Sequence, residues 1–365
     1  MKIRGHCFKT DLENNMELTS VATSAAHGSC NGTSTLLINL LILVTIWYFS
    51  SIVAISTSKQ TMIIVQMPFT LCFCQFSVSY ITSGLYLTLS GNIREVTRNE
   101  SWLIKTSAIF FAMGFIFTNF AFSFVSASFV ETIKASEPIS SVLLSYIILK
   151  EENIFFTYAS LVLVCVGVTV SCIGDDQFHI FGFLCATLSN ICFSARAVLI
   201  KKLYLNSEPL TSSSESAPLD EIWLYYHLCR IGLVILFPLA FLVEWSNTLV
   251  EYVDFTRRAF SRSSFSLKFS VASSTSNQLI ILLLVNGIFF ACYNLVSYFV
   301  LSRTALITHA VLNVFRRVFV IIFTAIYFNI RLTILNFVGI SLAVIGILLF
   351  SWFKSRHAKL KVLKS

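Results

Sequence analysis

The chain has 365 residues, of which 56% are hydrophobic and 12% charged, with a formal charge of +8. Soluble domains carry about 25% charged residues, so a string of soluble globules is excluded. The sparse cations fall between long apolar runs, which points to membrane topology rather than to nucleic-acid binding.

Residues 1–35 form a polar N-terminal tail that begins Met-Lys-Ile-Arg. It has no compact apolar stretch ahead of a small-residue cleavage site, so no secretory signal peptide is expected and an uncleaved first helix does the targeting. Asn31-Gly32-Thr33 fits a glycosylation acceptor, but it adjoins the first helix on the expected cytosolic side. Apolar segments follow at 36–55, 61–88, 104–124, 126–149, 154–173, 179–200, 222–243, 278–300, 304–328 and 332–352. A bilayer demands about 20 residues per helix, and helices satisfy their backbone internally in hydrocarbon. The expected fold is therefore all-α: a polytopic membrane protein of ten transmembrane helices, with a transporter domain over 36–352 and a basic C-terminal tail over 353–365.

Lys59 reads as the membrane boundary of the second segment, and Ser126, Lys150–Asn153 and Arg303 as tight reversals. Pro138 removes a backbone donor in the fourth segment and should bend it. Two longer loops, 203–221 and 244–277, are serine-rich, and the second is expected to be disordered or to hold a short surface helix. Cys72, Cys74, Cys165, Cys172, Cys185, Cys192 and Cys292 lie in apolar runs and read as small hydrophobes rather than a metal or redox set.

Ten spans place both termini on one side. That side collects fourteen basic residues against six opposite, so both termini are expected in the cytosol. An offset of 179 residues lays 126–170 over 305–349, with Gly167 meeting Gly346 and Leu163 meeting Leu342. Five helices per half would invert the second half, as in many secondary transporters.

Lys134 stands near the middle of the fourth segment, and Arg316 and Arg317 near the middle of the ninth. A cation at the bilayer centre costs about 2.5–3.5 kcal/mol on insertion scales, so each must face a cavity, a counter-ion or a ligand. Glu131 and Glu137 lie three residues either side of Lys134 and can reach it on one helix face. No carboxylate lies within a turn or two of the arginines, so their partner comes from another helix or from outside. Adjacent arginines diverge by about 100°, so one can hold a ligand while the other anchors the site. Arginine offers a planar fork for phosphate oxygens and lysine a compact charge. Arg196 reads equally as a rim residue or a further contact. Tyr293 with Asn294, and Thr118 with Asn119, are hydrogen-bond donors at substrate depth or packing residues. His309 reads as structural or as a donor facing the pore.

Thr-Ile-Lys-Ala-Ser-Glu-Pro at 132–138 and Thr-His-Ala-Val-Leu-Asn-Val-Phe-Arg-Arg-Val-Phe-Val-Ile at 308–321 carry a recognisable pattern, supported by Thr118-Asn119, Phe193-Ser-Ala-Arg-Ala197 and Tyr293-Asn294. Over about 36–352 the chain resembles the triose-phosphate/sugar-phosphate translocator family, related to nucleotide-sugar transporters within the drug/metabolite transporter superfamily. The resemblance implies ten helices in two inverted five-helix halves around a central cavity. It also implies substrate contacts from Lys134, Arg316, Arg317, Tyr293, Thr118 and Arg196, with arginine at 316 where the family has lysine. Two family histidines are absent, replaced by Phe115 and Glu131, which argues against assigning triose phosphate as the substrate.

The expected function is exchange of a phosphorylated sugar or three-carbon metabolite for inorganic phosphate or another phosphorylated metabolite across an organelle membrane. An uncompensated cationic cluster is expected to oppose return of the unloaded carrier. The alternatives are a nucleotide-sugar/nucleoside-monophosphate antiporter and a non-transporting receptor or scaffold. No clustered nucleophile and base indicates an enzyme, and no cofactor is implied. The absence of an evident plastid presequence favours the Golgi or another endomembrane.

Overall fold

The computed structural model describes residues 30–90, 98–151, 155–173, 178–206, 217–246, 265–304 and 306–363. Among them all regular structure is helical: α1 (Cys30–Ile64), α2 (Pro68–Ser90), α3 (Arg98–Phe124), α4 (Ala127–Lys134), α5 (Glu137–Leu149), α6 (Phe155–Ile173), α7 (Ile180–Asn206), α8 (Ala217–Leu239) with a π-helical continuation (Ala240–Trp245), α9 (Phe265–Arg303), α10 (Leu306–Tyr327) and α11 (Ile334–Leu363). Seven are long and apolar enough to cross a membrane: α1, α3, α6, α7, α8, α9 and α11. The protein is a multi-pass membrane protein. Of the remaining segments, α4 and α5 are short, 8 and 13 residues, and the α4–α5 pair and α10 carry Glu131, Lys134, Glu137, Asn313, Arg316 and Arg317 of the central cavity described below.

The first boundary differs from the sequence expectation. α1 runs through Lys59 to Ile64, and the chain breaks at Val65–Met67 ahead of Pro68. The hydroxyls of Thr57, Ser58 and Thr61 bond back to the carbonyls of Val53, Ala54 and Thr57, so these polar residues do not interrupt the helix. Lys59 therefore lies within α1 and does not begin the second helix. Its ammonium donates to Phe122 O at 2.7 Å and Val125 O at 2.9 Å, satisfying free carbonyls at the end of α3. Pro68 then opens α2, where its missing N–H costs nothing.

Residues 247–264 of the second long loop lie outside the described residues, whereas 265–277 belong to α9. Pro238 lies inside α8, and the helix widens into the π turn just beyond it. That turn brings the Glu244 carboxylate to the start of α2, where it accepts from Phe69 N at 2.8 Å, Thr70 N at 2.7 Å and Thr70 Oγ1 at 2.6 Å. A buried acid on helix-start amides is a favourable cap.

The main helix pairings are α6 with α11, α3 with α7, α1 with α9, and α2 with α8. The α6–α11 crossing is set by glycine. A Cβ on Gly167 would lie 2.4 Å from Ala343 N, and one on Gly339 would lie 2.4 Å from Ser171 N. Small residues let the two backbones touch, which is how membrane helices gain packing without a hydrophobic driving force. On α10, Phe315, Phe319, Ile322, Phe323 and Ile326 are exposed while Val314, Arg316, Val320 and Thr324 are buried. In a bilayer the apolar stripe faces lipid and the arginine side faces the bundle.

Candidate functional site

The fourth apolar segment is two helices. Ser126 caps α4 by accepting from Phe129 N at 3.1 Å, and all eight residues of α4 are buried. Pro138 has no N–H, and its ring would clash with the carbonyl of Lys134, four residues earlier. The helix therefore stops at Lys134 and restarts at Glu137, a full break where the sequence pointed to a bend. At the break Ile133 O accepts from Ser136 N at 2.9 Å, Ser136 Oγ at 2.7 Å and, from α7, Asn190 Nδ2 at 2.8 Å. The break puts a lysine at the end of one helix and a glutamate at the start of the next, the favourable sign at each terminus.

Across the break stands α10. Arg317 Nη2 lies 2.6 Å from Glu137 Oε2, and Arg317 Nη1 lies 3.4 Å from Glu131 Oε2. Glu131 Oε1 is 3.7 Å from Lys134 Nζ. The arginine's missing partners thus come from α4 and α5, and the site is a linked set of pairs rather than bare cations. Arg316 is held differently. Its Nε donates to Asn313 Oδ1 at 2.9 Å, and its guanidinium carbon sits 5.8 Å from the Trp47 ring and 6.0 Å from the Tyr293 ring. Among the described residues no carboxylate pairs with it, although it is only 7% exposed.

All six residues singled out from sequence, Thr118, Lys134, Arg196, Tyr293, Arg316 and Arg317, line one cavity of about 200 Å³. Their surroundings differ. The Thr118 hydroxyl bonds Gly114 O at 2.8 Å and Ser189 Oγ at 2.7 Å, so it is committed to the α3–α7 contact. The Asn294 amide likewise donates to Phe290 O, one turn back. Arg196 lies against the Phe111 ring at 5.0 Å, and its buried Nε has no hydrogen-bond partner among the described residues. Phe115 packs among Phe76, Phe111, Phe193 and Phe290, forming an aromatic wall that meets the charged pole where Lys134 Nζ lies 5.5 Å from the Phe193 ring. His309 stacks on Trp47 and bonds Ser297 at 3.2 Å, lying behind Arg316 rather than on the cavity wall.

Sequence reading missed Gln75, Ser58 and Asn313. Gln75 Nε2 donates to Asn286 Oδ1 at 2.9 Å and Ser58 Oγ at 3.2 Å, leaving its Oε1 at the cavity without a partner among the described residues. A lone glutamine in an apolar run was the available signal.

A multi-pass helical protein that encloses a cationic, aromatic-walled cavity between broken and charged helices has the makeup of a membrane carrier. A model of the Triose-phosphate Transporter family matches residues 38–351, and the chain belongs to that family. It is a transporter-family protein, not an enzyme. Among its relatives are phosphoenolpyruvate/phosphate translocator 1, chloroplastic, of Arabidopsis thaliana, 29% identical over 94% of this chain and 78% of that protein. The protein of the same name from Oryza sativa subsp. japonica is 30% identical over 87% and 72%. The triose phosphate/phosphate translocator, non-green plastid, chloroplastic, of Brassica oleracea var. botrytis is 27% identical over 96% and 81%. These relatives are chloroplastic and phosphate-exchanging by name. They give no support to the Golgi or endomembrane expectation, nor to a nucleoside monophosphate as counter-substrate.

Proposed function

We propose that the protein is an antiporter that exchanges a phosphorylated three-carbon or sugar metabolite for inorganic phosphate or another phosphorylated metabolite. The observation that carries this reading is the charged pole at Lys134, Arg316 and Arg317, in which Arg316 lines the cavity with no carboxylate partner among the described residues. A planar guanidinium matches phosphate oxygens, and the neighbouring lysine adds a compact charge. In this reading Arg316 is the ligand-holding arginine, and Arg317 anchors α10 to the broken helix.

The cavity volume of about 200 Å³ is below the roughly 300–1,000 Å³ that encloses a drug-sized ligand. It favours a small phosphate ester over a nucleotide sugar. Two inverted five-helix halves are supported by the pairings. Under a five-helix offset, α1 with α9 is the counterpart of α7 with α3, while α2 with α8 and α6 with α11 map onto themselves. Ten spans put both termini on one side in this reading, and the lysine and arginine excess on that side supports the cytosol.

Purified protein in liposomes preloaded with phosphate tests the reading. Uptake of labelled phosphoenolpyruvate, triose phosphates or sugar phosphates should require internal phosphate. Uptake that instead requires an internal nucleoside monophosphate would replace this assignment.

A further inference from the structure

The charged pole comes from α4, α5 and α10. Another part of the same cavity wall, from α1 and α2, carries neutral polar groups: Ser58 and Gln75, backed by Asn286 of α9. All three residues are buried.

Their hydrogen bonds fix which way each amide is turned. Asn286 Nδ2 donates to Ala54 O at 2.8 Å, a carbonyl that can only accept. Asn286 Oδ1 is therefore the atom facing Gln75, whose Nε2 donates to it at 2.9 Å. Ser58 Oγ gives its one hydrogen to Ala54 O at 2.8 Å, so toward Gln75 Nε2, at 3.2 Å, it too can only accept. Both neighbours demand the amide nitrogen, and turning Gln75 over would set oxygen against oxygen. Gln75 Oε1 is thus fixed as an acceptor at the cavity, buried and without a partner among the described residues. Buried polar atoms are nearly always paired, and this one can be satisfied only by a donor hydrogen.

Building on the exchange reading above, we infer that Gln75 is a specificity-determining residue, whose Oε1 accepts from a hydroxyl on the carbon skeleton of the substrate while the phosphate occupies the charged pole. The preferred class is a small phosphate ester that carries a free hydroxyl. A carboxylate brought to the same place would set lone pairs against Oε1, and a skeleton without the hydroxyl would leave Oε1 unpaired.

The full chain in liposomes loaded with labelled phosphate gives the test, with efflux driven by an unlabelled ester outside. Dihydroxyacetone phosphate, acetol phosphate and fluoroacetol phosphate form a charge-matched set. Acetol phosphate lacks the hydroxyl, and fluoroacetol phosphate has fluorine there, with no hydrogen to donate. In the wild-type protein kcat/KM for dihydroxyacetone phosphate should exceed that for either analogue by about tenfold. In Gln75→Met, which has no amide, the preference should fall close to unity. Gln75→Asn, one carbon shorter and still able to bond Asn286, should lose the preference too and serves if the methionine variant fails to fold. Equal or absent efflux with the three esters, where external phosphate still exchanges, overturns this inference alone. So does a preference kept in either folded variant. A fluoro analogue used as well as the hydroxyl compound also overturns it, because a donor would then be reading that position. No efflux even into external phosphate overturns the exchange reading with it.

Discussion

Arg317 reaches from α10 to Glu137 in the first turn of α5, 2.6 Å between Nη2 and Oε2, and so ties the ninth apolar segment to the far side of the break in the fourth. The same guanidinium reaches Glu131 on the near side of the break. One side chain therefore fixes the relative placement of both half-helices, and any motion at Ala135–Ser136 must stretch or exchange these pairs.

Arg317→Ala should affect both stability and transport. It leaves Glu131, buried with its side chain 3% exposed, with only Lys134 at 3.7 Å among the salt-bridge partners of the described residues. Breaking a buried pair costs about 3–5 kcal/mol, less here because Glu137 is partly exposed. A lower melting temperature in detergent together with loss of exchange is expected. Normal exchange would remove Arg317 from the site.

Arg316→Ala should separate the two readouts. Since Arg316 has no carboxylate partner among the described residues, removing it strands no opposite charge. Melting should shift little, while exchange falls by about 100-fold, as expected when one charge-assisted contact is lost. Stabilisation by added phosphate, read as a melting shift, should disappear with it.

Thr118→Val tests whether a residue lining the cavity also binds. Its hydroxyl is already bonded to Gly114 O and Ser189 Oγ. The substitution should cost about 1 kcal/mol of stability and leave the KM for phosphate nearly unchanged. A large rise in KM would return Thr118 to the binding set.

Gly167→Val tests the α6–α11 crossing. The added atoms would start 2.4 Å from Ala343 N, which is backbone and cannot swing aside. Overpacking of this kind costs about 1–3 kcal/mol or more, so the variant should melt earlier or fail to accumulate in membranes. Unchanged melting would show that the two helices pack more loosely than their backbones indicate.

The sequence by itself determined a great deal. Apolar length and the lack of competing polar structure dictate membrane helices, because a backbone in hydrocarbon has no other way to satisfy itself. The cost of burying charge singles out Lys134, Arg316 and Arg317 as candidate site residues without any neighbour being known. Those three, with Thr118, Arg196 and Tyr293, do share one cavity.

Only the tertiary structure decided who partners whom. Arg317 and Glu137 are 180 residues apart, and no local periodicity encodes such a contact. The pairing separates two adjacent arginines that look alike in sequence: one is neutralised from across the bundle, and the other is left facing the cavity. The break at Ala135–Ser136 and the continuation of α1 through Lys59 were misjudged for a related reason. Local residues show where a helix is weakened or charged, but whether it breaks depends on what satisfies the freed groups. Here Ile133 O at the break is held by Ser136 N and Oγ with Asn190 added from α7, and Lys59 of α1 reaches the end of α3.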